Sequence, residues 1–221
     1  MSLHRLRPSR VFGLALALAG LTLSGTGTAI ALTPRANLND TARFQLFPNT
    51  KFLPCLSANG STPRVEAEVR RGELNDTMEI QLHDFKPDLD FDLFTVQRSN
   101  QLADGSPDPS FTGSFGLAWY QSDLHTDHHG EGRARIQTVL LDQIFGFDPD
   151  ATLKPTNTFH VGFWFNSPSD AAACGFTGTT PFNGEHNAGP LAFITRPDAR
   201  TGLGPLCTKP NTSTTPATCN P

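Results

Sequence analysis

Short runs in which apolar and polar residues take turns recur along this chain, and glycine and proline separate them. In "RVEAEVR" (64–70), Val65, Ala67 and Val69 share one side; in "TMEIQLHDF" (77–85), Met78, Ile80 and Leu82 face opposite Glu79, Gln81 and His83. A period of two is the signature of a strand with one face in a core. "FDLFTVQRS" (91–99), "FGLAWYQSDLH" (115–125), "GRARIQTVLLDQ" (132–143), "TFHVGFWFN" (158–166) and "LAFITRP" (191–197) extend the series to seven strands. The 19 glycines and 18 prolines fall between these runs, where turns are needed. Helical periodicity is nearly absent. One short turn is expected at "NSPSDAAACG", with Ser167 as N-cap, Pro168 opening it and Gly175 beyond its end. The chain therefore reads as all-β: an antiparallel β-sandwich of Ig-like or Greek-key type, with long loops and at most one short helix. Seventeen phenylalanines predict a core dominated by Phe rings.

The N-terminus has the layout of a secretory signal. Arg5, Arg7 and Arg10 precede the apolar stretch from Val11 to Leu23, and Ala29-Ile30-Ala31 fits a cleavage site. The apolar stretch is shorter than the roughly 20 residues that a membrane helix needs. The expected organisation is a signal peptide over 1–31, a β-sandwich domain over 32–207 and a Thr/Pro-rich tail over 208–221. Loss of three arginines leaves 14 basic against 21 acidic residues, with no basic stripe. An acidic, unclustered chain argues against nucleic acid as a partner. The expected partner is an extracellular ligand or protein, met by a released product with no membrane span.

Cys55, Cys174, Cys207 and Cys219 are an even set in a chain expected to be exported, so disulfides are the default. Three pairings are open; Cys55–Cys174 with Cys207–Cys219 is preferred, the second closing a loop over the tail.

The stretches "NTKFLPCL", "FDLFTVQRS", "FGLAWYQSDL", "LLDQIFGFDP", "TNTFHVGFWFN" and "PFNGEHNAGP" resemble a group of secreted proteins from actinomycete-type bacteria. The resemblance spans most of the chain after the signal. It implies secretion and a bacterial source, and it carries over no catalytic residue.

The most site-like stretch is "DLHTDHHGEGRARIQT". Asp123 and His125 point the same way on a strand, and with Asp127 they can present three ligands to one cation. His128 or His129 can complete a set for zinc or copper. The competing reading is a polar hairpin turn built by Asp127, Gly130 and Gly132. Asp104 with Asp108, and Asp84, Asp88, Asp90 and Asp92, supply oxygens suited to calcium, without the EF-hand spacing. His83 and His160 are isolated strand histidines. A blue-copper set would need Cys174 with His186 and Met78. Glu185 beside His186 offers an acid/base pair for hydrolysis, with no nucleophile motif to accompany it. Trp119, Tyr120 and Trp164 can stack on a sugar or a partner if exposed, or pack the core if not. With no catalytic motif, the leading expectation is a non-enzymatic extracellular binding module without a cofactor. A metal protein using His125–His129 and a hydrolase near Glu185/His186 are the alternatives.

Overall fold

The computed structural model describes residues 41–58, 60–72, 75–138, 158–178 and 188–207. All of them lie within one compact unit, Asn37–Pro221. Among the described residues there are nine strands: β1 (Thr41–Pro48), β2 (Arg64–Arg70), β3 (Asp76–His83), β4 (Asp90–Val96), β5 (Ala118–His125), β6 (Gly132–Thr138), β7 (Thr158–Phe165), β8 (Leu191–Ile194) and β9 (Leu206–Cys207). They pair antiparallel along one path, β5-β4-β7-β8-β1-β2-β3-β6, while β9 pairs the first two residues of β7. The all-β expectation is met, and each of the seven runs read from sequence contains a strand.

β1 holds the path together by changing partner. Thr41 to Leu46 pair with β2, and Phe47 and Pro48 pair with β8. The two ends of the path, β5 and β6, are consecutive in the chain and approach each other, giving a barrel-like arrangement. They share no backbone pairing among the described residues: β5 pairs β4 and β6 pairs β3. The expected hairpin at His125–His129 is therefore corrected to an arch that crosses from one end of the path to the other. The Asp and Gly residues of residues 126–131 reverse the chain in either case, so the turn chemistry did not separate the two.

Inside, Val65, Ala67 and Val69 of β2 and Met78, Ile80 and Leu82 of β3 meet Phe91, Leu93, Phe163 and Phe193 from β4, β7 and β8. The phenylalanines contact one another directly, with ring centroids of Phe91 and Phe163 4.9 Å apart and Phe163 stacked on Phe193 at 5.2 Å. A second apolar cluster lies on the other face of β4, β7 and β8. There Phe94, Val96, Trp164, Leu191 and Ile194 are covered by Phe111 and Phe115 from the long loop before β5. These three strands are buried on both faces, whereas β2 and β3 keep one face open.

The Pro168–Cys174 turn forms as expected, as a 3-10 helix. Ser167 Oγ accepts from Ser169 N at 3.2 Å, and Gly175 closes it at φ 78°. The expectation of at most one short helix is corrected by a second helical segment. A 3-10 turn, Thr50–Phe52, is capped by Asn49 and runs straight into α1 (Leu53–Leu56), with Pro54 in its first turn. Too short to show a period, it forms because Phe52, Cys55 and Leu56 dock into the core. Cys55 is bonded to Cys174, with Cα atoms 6.1 Å apart, as preferred from sequence. The Cys207–Cys219 pairing lies outside what is described. Among the described residues, no helix is long and apolar enough to cross a membrane.

Candidate functional site

The arch is built around two residues that face inward. Thr126 Oγ1 donates to Lys86 O at 2.8 Å and accepts from Leu89 N at 2.9 Å, stitching the arch to the loop before β4. Gly130 O accepts from Phe85 N at 3.0 Å. Gly130 sits at φ +80°, and a Cβ there would fall 2.0 Å from Phe85 O, so only glycine lets the two backbones meet.

The expected ligands are thereby separated. Asp127 Oδ1 accepts from Glu131 N at 3.0 Å and His129 N at 2.8 Å. These backbone donors favour the ionised carboxyl and hold it below the usual carboxylate range. Its charge is used to shape the arch. Asp123 Oδ1 accepts from the Tyr120 hydroxyl at 2.7 Å, and His125 Nδ1 meets Asp90 Oδ1 at 2.8 Å. The rings of His128 and His129 lie 3.9 Å apart in solvent. Glu131 pairs with His83 Nδ1 at 2.6 Å and accepts from Asp84 N at 3.2 Å. Among the described residues, no three His, Cys, Asp or Glu side chains converge as a metal site.

The other candidates distribute similarly. The Asp104 and Asp108 carboxylates each accept from the backbone and hydroxyl of a serine two residues on, Ser106 and Ser110, as turn residues do. Cys174 is spent in the disulfide, so it has no thiolate for copper. Glu185 and His186 lie outside the described residues. Trp164 is 1% exposed between Phe94 and Phe115, so the binding role considered for it is corrected to core packing. Trp119 is half-buried, and Tyr120 is 46% exposed with its ring against Phe94.

A second surface was not singled out from the sequence. The open faces of β1, β2, β3 and β6 form two polar rows in register. Gln45, Glu66, Gln81 and Arg133 make one; Arg43, Glu68, Glu79 and Arg135 make the other. Glu68 accepts from Arg43 at 2.6 Å and also from Arg70, and these arginines hold its carboxyl below the usual range. Glu79 is bridged by Arg133 at 2.8 Å and Arg135 at 3.5 Å. Arg43, Gln45, Glu66, Glu68, Glu79 and Gln81 line a solvent-open hollow of about 340 Å³. The signal was present in the outward half of "RVEAEVR" and "TMEIQLH", the half that a search for a core discards.

No protein-family model, curated protein or solved structure matches this chain.

Proposed function

We propose that this protein is a secreted bacterial binding module without catalytic activity, and that its ligand surface is the open face of β1, β2, β3 and β6. The observation that carries the reading is the hollow of about 340 Å³ in that face, within the usual size range of small-ligand sites. Its lining offers amide donors and acceptors from Gln45 and Gln81 beside fixed Arg–Glu pairs. Such groups are suited to the hydroxyls of a glycan or to the backbone of an extended peptide. The Cys55–Cys174 bond is in keeping with an oxidising compartment, and the signal-like N-terminus is the basis for export.

The finer architecture belongs to the same proposal. β1 changes partner at Phe47 and residues 126–131 cross as an arch, both of which fit two facing sheets of Ig-like or Greek-key type. An experimental structure with backbone hydrogen bonds joining β5 to β6 would replace the sandwich with a closed barrel.

The functional test is retention of purified protein on cell-wall glycans and on soluble polysaccharides. Retention that is lost in a Gln45→Ala/Gln81→Ala double variant supports the reading. Absence of retention, or retention untouched by the double variant, overturns this surface as the site. Secretion is checked by the intact mass of exported protein, which should begin at Leu32.

A further inference from the structure

We propose that residues 195–207 form an acid-released latch, closed over β7 by an uncharged His160. Thr195 follows β8, and the segment from it returns to the start of β7, where β9 pairs Thr158 and Phe159. His160 lies beneath it, 4% exposed, on the face of β7 opposite the Phe163 row. Its Nδ1 lies 3.1 Å from Thr195 O and 3.0 Å from Thr195 Oγ1. A carbonyl can only accept, which favours the tautomer with the proton on Nδ1 and a bare Nε2. Gly204 closes the other side. Its N–H donates to Thr158 Oγ1 at 3.2 Å, and a Cβ on it would fall 2.3 Å from Phe159 O and 3.1 Å from His160 Cδ2.

A second proton must go to Nε2, which has no hydrogen-bond partner among the described residues. Among the described residues, no charged group is placed to stabilise the resulting cation. Arg196, at the start of the latch, is stacked on Phe47 at 4.0 Å and donates to Gln101. Asp198 holds its own turn through Arg200 N and Thr201 N, and Arg200 lies on that exposed turn. On the β4 side, Val96 faces His160 and Arg98 reaches Ser110 and Asp108. Burial is accordingly the leading influence on His160 and pushes it down to about 4, from an ordinary value of 6.5.

Once the latch is open, the imidazole regains its ordinary affinity for protons, so the open state binds more protons than the closed one between about pH 6.5 and pH 4. The closed state is fully favoured above that window and loses ground as the pH falls through it. Release stays local because the middle of the latch is unsupported: residues 199–202 are exposed, between anchors at Thr195, which pairs with Val161, and Arg196 on one side and at Gly204 and Leu206 on the other, whereas all of β7 is buried.

The test is backbone hydrogen exchange on the full chain at pH 7 and pH 4, corrected for intrinsic rates. Protection at Thr195, Gly204 and Leu206 should fall on the order of a hundredfold relative to β4. His160→Asn, which keeps a donor at the Nδ1 position and does not titrate, should abolish that difference. The imidazole titration of the unmodified protein, followed by NMR, is the second readout, and its midpoint should track the exchange change. Unchanged protection, or simultaneous loss throughout β4 and β7, overturns the latch.

Discussion

β2 and β7 differ in a way that divides the molecule. β2 alternates, with Val65, Ala67 and Val69 buried and Arg64, Glu66 and Arg70 exposed. Every residue of β7 is buried. The first strand belongs to a layer with one wet face. The second belongs to a layer covered by the barrel-like interior on one side and by the 97–117 loop with Phe111 and Phe115 on the other. The contrast separates two uses of sequence: the doubly covered layer supplies cohesion, and the wet face is free to carry recognition.

The sharpest way to break the contrast is to cut the bond that ties α1, just after β1, to the Pro168–Cys174 turn, just after β7. The Cys55–Cys174 bond closes a span of 119 residues. By loop-closure entropy its removal costs about 4–5 kcal/mol. Reduction, or Cys55→Ser with Cys174→Ser, should lower the urea midpoint by a corresponding amount. A midpoint unchanged on reduction would mean that docking of Phe52 and Leu56 already holds the two segments together.

Next come the doubly covered strands. Phe163→Ala removes a ring that touches Phe85, Phe91 and Phe193, and Trp164→Ala removes the centre of the outer cluster. Each should cost about 3–5 kcal/mol in equilibrium unfolding. Equal losses from the two substitutions place equal weight on both faces of β7. A loss below 1 kcal/mol for Trp164 would demote the outer cluster to a loosely packed cover. The arch gives a smaller effect. Gly130→Ala forces a side chain into positive φ against Phe85 O, and about 1–3 kcal/mol is expected from strain of this kind.

How much of this was legible follows the same division. The alternating strands were readable because one wet face imposes period two, and the buried ones because two dry faces impose an apolar run. β1 escaped notice although Phe44 and Leu46 alternate with Arg43 and Gln45. It changes partner at Phe47, and Pro48 cuts the run short. β9 is two residues long and exists only through β7, so no local pattern announces it. The arch read as a hairpin because Asp127 and Gly130 do the same local work in both, and only pairing with β3 and β4 tells them apart. At the candidate metal site, the spacing of Asp123, His125 and Asp127 was legible. What claims them was not: Asp127 is held by the backbone of His129 and Glu131 and Asp123 by the Tyr120 hydroxyl, while the partner of His125, Asp90, is 35 residues away.

The smallest expected stability change is the most informative about function. Glu66 lies centrally in the first polar row, between Gln45 and Gln81, with no ion-pair or hydrogen-bond partner among the described residues. Its carboxylate does no structural work there, so Glu66→Gln should leave stability within about 0.5 kcal/mol, as solvent-facing substitutions do. The same substitution in a ligand surface changes the charge met by anything that docks in the hollow. Denaturation and glycan retention measured on one preparation therefore separate the two roles. Unchanged stability with altered retention assigns recognition to the wet face. A stability loss above 1 kcal/mol would show that Glu66 is tied into the Arg–Glu network beside it, and the division between a cohesive layer and a free one would fail at its centre.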